Sequence, residues 1–296
     1  MPKPIAALLA VFLLAFAGPA LASEAGSAKG TVTVGDQATP LTHVYAWEET
    51  DIPEMRFGDS PERRIVLLVL DRPLPANARA DMGSAVQLAI KGELRGIYLD
   101  LDAANGTPQN GALLARPEEN PNSFTILGDG ADVVVENFHY EGGKLSLASR
   151  SVKPLDLYDF SGSGGPSSFT FEATLEVPVE PAPAPVATLE GEAASGSEQA
   201  VAVKALLEAL EAEDAEKIRA AVLSDQPGSE MLATPEGIAQ FKSMILGEGD
   251  AAAQMAKLTK VYVYETHAVV LFKEQEGGWS TMPVTEEDGR WKLGAP

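Results

Sequence analysis

Cysteine is absent from the 296-residue chain, which excludes disulfides, thiolate nucleophiles and thiolate ligands for a metal. Histidine is scarce: His43, His139 and His267 are the whole set, and none stands at metal-ligand spacing to another. Positive charge is also short, with 22 Lys and Arg against 43 Asp and Glu, a net charge of −21. A surface of that sign repels nucleic acid and anionic lipid, which bind by having basic side chains neutralise phosphate. No nucleic-acid partner is therefore expected. The sequence has no Gly-x-Ser-x-Gly elbow, no His-Glu-x-x-His, no Walker loop and no dinucleotide fingerprint, so no cofactor is expected either. An enzyme would have to assemble scattered residues through its fold.

What is present begins with export. Lys3 gives a short positive start, an apolar run follows from Ile5 to Ala17, and Gly18-Pro19 breaks it before Ala20-Leu21-Ala22. This is the pattern of a cleaved signal peptide over residues 1–22. The run is shorter than the roughly 20 residues a membrane-spanning helix needs. No later segment is apolar enough to span, and no cysteine follows the cleavage site to carry a lipid. The expected location is periplasmic or secreted.

Residues 29–177 alternate with period two between turn signals, which predicts an all-β antiparallel sandwich. Expected strands include 31–34, 41–48, 64–70, 85–90, 94–101, 123–127, 132–138, 144–147 and 168–177, with a Gly35-Asp36 turn after the first. No helix is expected here. Alternation through residues 41–47 places Leu41, His43, Tyr45 and Trp47 on one face, with Thr42, Val44 and Ala46 on the other. His43, Tyr45 and Trp47 are thus candidate ligand-binding residues, although such aromatics more often fill a core. Asp100 and Asp102 precede Asn105-Gly106 and are weak candidates for a divalent cation. A calcium loop fails in register, because Ala104, Asn105 and Gly111 fall where a ligand, a glycine and a glutamate are needed. The glycine-rich run 161–166 leads into a strand pattern instead of a helix, so it is a connection and not a phosphate cradle.

Residues 178–197 are rich in Pro, Ala, Gly, Ser and Glu and read as a flexible linker between two domains. Beyond them the period changes. Ser195 and Glu198 form a capping-box pattern, Val203, Leu206, Leu207 and Leu210 follow helical spacing, and the apolar face shifts near Glu213-Asp214. Thr234-Pro235 is a cap-and-first-turn signal for a further helix. Four short strands are expected over 258–264, 267–273, 279–284 and 290–293.

Helices followed by a meander, the opening Val203-Lys204-Ala205-Leu206-Leu207-Glu208-Ala209-Leu210 and the ending Gly289-Arg290-Trp291-Lys292-Leu293 resemble the nuclear-transport-factor-2-like and ketosteroid-isomerase-like superfamily. The resemblance covers residues 198–296 and implies a small α+β cone-shaped domain, with a pocket between the sheet and its helices. Isomerase-type members carry a first-helix Tyr and a carboxylate pair, and no residue here matches that apparatus. Lys260, Tyr262 and Tyr264 share one strand face and His267 opens the next strand, so Tyr262, Tyr264 and His267 are candidate pocket residues. The leading expectation is an exported soluble, non-catalytic protein that binds a protein or small-molecule partner. The alternatives are an isomerase- or dehydratase-like cone domain, and a divalent-cation-binding β-domain.

Overall fold

The computed structural model describes residues 25–56, 58, 60–75, 82–116, 119, 132–157, 168–223, 229–247, 249–274 and 277–294. The expected signal peptide, the strand at 123–127 and the glycine-rich run at 161–166 lie outside the described residues. Within them the chain is mostly antiparallel β. In order, β1 (Gly26–Val34) and β2 (Gln37–Thr50) lead to a 3₁₀ turn at Pro53–Met55, β3 (Arg63–Leu70) and α1 (Met82–Ile90). Then come β4 (Gly96–Asp102), β5 (Pro108–Leu114), β6 (Val133–Glu141), β7 (Lys144–Ser151), β8 (Leu155–Asp156) and β9 (Ser168–Glu180).

These nine strands form one curled sheet in the order β5-β4-β3-β2-β1-β9-β7-β6, with β8 paired to β9. The β1–β2 hairpin closes at Val34 and Gln37 around Gly35, whose φ of 57° suits a tight turn without a Cβ clash. The inside of the curl is apolar: Val32, Leu41, Val44, Ile65, Leu67, Leu99, Leu113, Leu145, Phe171 and Leu175 belong to one buried cluster. The expectation of a sandwich is met in its coarser part, an antiparallel β-fold around a shared core, while the strands belong to one continuous sheet.

The segment expected as a strand at 85–90 is helical. Met82, Ala85, Val86 and Ala89 recur every three or four residues, and α1 lays them on Tyr45, Val66, Leu68 and Tyr98. β3 and β4 are consequently buried on both faces, so they read as almost unbroken apolar runs. A second departure lies in β2. Its pairing with β1 shifts register between Ser27 and Gly30, opposite His43 and Leu41. Alternation changes phase there, so Leu41 joins Val44 and Ala46 in the inner core, while Tyr45 and Trp47 face α1.

The second sheet begins inside the expected linker. β9 runs to Glu180, residues 181–186 have no strand or helix, and β10 (Ala187–Glu190) and α2 (Gly191–Ser195) follow, with Gly196 and Ser197 again outside both. Pro178 is accommodated in β9, and alternation continues through Val177 and Val179, both buried. After α3 (Glu198–Glu211), α4 (Ala215–Ala221), a 3₁₀ turn at Ser229–Ala233, α5 (Pro235–Leu246) and α6 (Ala251–Met255) come β11 (Leu258–Val263), β12 (His267–Lys273), β13 (Trp279–Glu287) and β14 (Arg290–Leu293). The sheet order is β10-β11-β12-β13-β14, all antiparallel. Ser197, not Ser195, caps α3 by accepting from the Ala200 N–H at 3.2 Å, whereas Thr234 caps α5 at Gly237 as its sequence implies. Val203, Leu206, Leu207 and Leu210 pack on Val261, Ala268, Val270 and Phe272, which makes the helix-facing side of this sheet a filled core.

Gly30 marks a close approach of β1 to β9, since a Cβ there would lie 2.2 Å from the Glu172 carbonyl oxygen. Gly30→Ala is therefore expected to cost about 1–3 kcal/mol, as other overpacked sites do, read as a lower urea midpoint with an unchanged slope. An unchanged midpoint would show that β1 and β9 separate more easily than this packing implies.

Candidate functional site

Each residue singled out in the sequence has a definite place. Tyr45 is buried under α1 and its hydroxyl accepts the Leu74 N–H at 3.0 Å. Trp47 packs on the same cluster and donates its indole N–H to Glu49 at 3.1 Å. His43 lies near the β2 register change, 2.9 Å from the Thr42 hydroxyl. These residues do not converge on one cavity.

Asp100 and Asp102 have separate partners. Asp100 is buried and ion-paired with Arg64, which also contacts Glu49 at 3.1 Å and Asp51 at 2.8 Å. The guanidinium already supplies the positive charge among these carboxylates. Burial pushes the Asp100 carboxyl up to about 6, outweighing the attraction of Arg64. Asp102 instead accepts from the Ala104 N–H and the Asn105 amide, both at 2.8 Å, and so builds the turn that Asn105-Gly106 announces. Among the described residues no cluster of three or more His, Asp and Glu has the arrangement of a metal site.

Tyr262, Tyr264 and His267 come together, but on the side of the second sheet that faces away from the helices. Alternation sends Val261 and Val263 toward the helices and Tyr262 and Tyr264 to the other face, where they join Val269, Leu271 and Trp279. The cone resemblance implies a pocket on the helix side, so these three residues face away from it. Their face is covered by the 3₁₀ turn from the first sheet's β2–β3 connection. Ile52 and Met55 pack on Val269 and Leu271, which are fully buried. Glu54 accepts from Lys260 Nζ at 2.6 Å and from the Tyr262 hydroxyl at 2.9 Å, while Lys260 also pairs with Glu190 at 2.9 Å. Burial opposes the Glu54 charge, but these donors outweigh it and hold the carboxyl below its ordinary value.

His267 stacks on Tyr264 with ring centroids 4.5 Å apart and planes 4° from parallel. It is 1 % exposed and neither ring nitrogen has a hydrogen-bond partner, so burial pulls its pKa down to about 4. A neutral, buried imidazole in a stack is a packing element here.

The open surface lies elsewhere, on the outer side of β1, β9, β7 and β6. Phe171, Ala173 and Leu175 of β9 point into the core, so Glu172, Thr174 and Glu176 point out. Register aligns Thr31, Glu172 and Arg150 in one cross-strand row. Lys29, Thr174, Ala148 and Glu136 form the next, and Ser27, Glu176, Ser146 and His139 the third. Two adjoining hollows of about 520 and 550 Å³ follow these rows and share Lys29, Ala148 and Thr174. Small side chains make the floor, and Lys29, Glu136, Arg150, Glu172 and Glu176 make the margins. Arg150 pairs with Glu136 at 3.3 Å, and the bulge between Glu136 and His139, with Asn137 at φ 55°, bends the β6 side. The only sequence signal for this surface was the alternation of small and charged residues, which does not reveal which strands become neighbours.

No family model, no curated protein and no solved structure matches the chain.

Two expectations follow from these contacts. Replacing Arg64 by Met should cost on the order of 3–5 kcal/mol, because Glu49, Asp51 and Asp100 would lose their common counter-charge, and urea unfolding near neutral pH would register it. His267 has an unfolded value near 6.5 and a folded value of about 4, so the folded state binds its proton less well. Its contribution to stability should decline as pH falls below about 6.5 and level off below about 4, by up to roughly 3 kcal/mol. His267→Phe should remove that part of the pH profile; an unaltered profile would refute the burial argument.

Proposed function

We propose that this chain is an exported, non-catalytic binding protein that engages a protein or small-molecule partner through the outer face of β1, β9, β7 and β6. The observation that carries the reading is the groove itself, with a floor of Thr174, Ala148 and Ser146 and a rim of mixed charge across four strands. A low floor between long polar side chains admits a ligand while leaving donors and acceptors at its margins. Export rests on the pattern of residues 1–22. The cone-like reading of residues 198–296 is supported by helices covering one side of a small antiparallel sheet. A non-catalytic role for that part is supported by Leu206, Leu207, Leu210, Val270 and Phe272, which occupy the space where a cone enzyme would hold its substrate.

The test fills the groove. A variant carrying Ala148→Arg and Thr174→Arg, checked for an intact fold, is compared with the wild type and with Val201→Arg on the exposed side of α3. Cross-linking in the native envelope should recover a species with the wild type and Val201→Arg that the groove variant loses. Recovery of the same species by all three would place binding on another surface.

A further inference from the structure

We propose that Asn110, which precedes Gly111 on β5, is a site of self-modification, where the side-chain amide closes onto the Gly111 backbone nitrogen and is converted to aspartate or isoaspartate. This inference is independent of the groove. The chain holds two Asn-Gly pairs, Asn105-Gly106 and Asn110-Gly111. Glycine has no side chain to shield its backbone nitrogen, so residue order alone leaves both pairs open to the reaction.

The structure separates them. At the first pair the Gly106 N–H donates to the Asp102 carbonyl oxygen at 2.8 Å, so the nitrogen that would attack is directed away from the Asn105 side chain. Asn105 is itself held at both ends: Nδ2 donates to Asp102 Oδ2 and Oδ1 accepts from the Thr107 N–H, each at 2.8 Å. At the second pair the Gly111 N–H donates to Oδ1 of its own neighbour Asn110 at 2.8 Å. The amide carbon Cγ lies one C=O bond, about 1.2 Å, beyond that oxygen. The nitrogen is thus at most about 4 Å from the carbon it would attack, near the roughly 3–3.5 Å of a near-attack arrangement. Asn110 is only half-buried, on a strand at the end of the sheet order, so water has access to it.

The reaction balances with water alone. The Gly111 nitrogen passes its proton to water, and the electron pair left behind points toward Asn110. It bonds to Cγ, the Cγ–Nδ2 bond breaks, and the side-chain nitrogen leaves as ammonia with a proton returned from water. Water then opens the cyclic imide at either of its carbonyls, which gives aspartate or isoaspartate.

Either product changes the rim of the first sheet. Asn110 is the cross-strand partner of Asp100, which is buried and already shares Arg64 with Glu49 and Asp51. A carboxylate at position 110 would face another directly across the ladder, an arrangement that destabilises a sheet. Isoaspartate would also lengthen the backbone just ahead of Ala112, Leu113 and Leu114, which are buried on the two faces of β5. A slow clock is thereby built into the strand pair β4–β5.

The test uses the native chain, incubated in mildly alkaline buffer with and without enough urea to unfold it, and read by peptide mapping with mass spectrometry. In the folded chain position 110 should convert at least about tenfold faster than position 105, because misplacing reacting groups by about an ångström costs that much or more in rate. In urea the two positions should convert at similar rates. A folded chain in which Asn105 converts as fast as Asn110, or in which neither converts in the time the unfolded chain needs, would overturn the proposal. So would a preference for Asn110 that persists undiminished in urea, since sequence and not fold would then be its source. Asn110→Asp supplies the product's carboxylate directly, and its urea midpoint should lie below that of Asn110→Gln, which keeps a neutral amide. Equal midpoints would overturn the effect assigned to the new carboxylate.

Discussion

Arg64 lies among three carboxylates that would otherwise repel one another at the rim of the first sheet. Asp100 comes from β4, while Glu49 and Asp51 come from the end of β2 and the residue beyond it. Burial works against every charge in the group, raising the Glu49 and Asp100 carboxyls and opposing the guanidinium, yet the three anions keep Arg64 firmly protonated. One cation thus ties three strands together at the point where the chain leaves β2. The direction of that exit carries Ile52, Glu54 and Met55 onto the second sheet. Without a shared counter-charge, these acidic residues would favour water over the packed rim.

Glu48, one residue before Glu49, extends the same logic on the other side of the strand. Burial opposes its charge, but donors from Tyr140, Arg63 and the Ala182 N–H outweigh that effect and hold the carboxyl low. It therefore links β6, β3 and the start of the proline-rich connection. The polar contacts at this end of the curl and the apolar contact of Ile52 with Val269 and Leu271 form one continuous junction between the two sheets. The hollows on β1, β9, β7 and β6 share none of the residues of that junction.

Much of the local structure was legible from residue order. The Gly35-Asp36 turn, the strands from β11 to β14 and the Thr234 cap follow from rules that span only a few residues. The errors share a cause. Residues 85–90 contain small and apolar side chains that satisfy either periodicity, and only the surface beneath them selects a helix. β5 has no strand signal of its own, because Pro108, Gln109 and Asn110 give no apolar alternation before Ala112. The phase change in β2 coincides with a register shift against β1, which no single strand can announce. The Pro-Ala composition points to a tether from residue 178, yet β9 persists through Pro178 because the neighbouring residues have a core to enter.

Composition and short-range pattern alone determined the absence of thiol chemistry, the acidic surface, the predominance of antiparallel strands and the change of period after residue 198. These depend on residue identity and on neighbours a few positions away. The tertiary structure decided which of the candidate residues meet. It placed Tyr262, Tyr264 and His267 on the face opposite the helices, gave Asp100 to Arg64, and assembled a groove from residues as distant in sequence as Lys29 and Thr174. Strand pairing and sheet curvature bring such residues together through contacts made across the whole chain, and no local pattern encodes that choice.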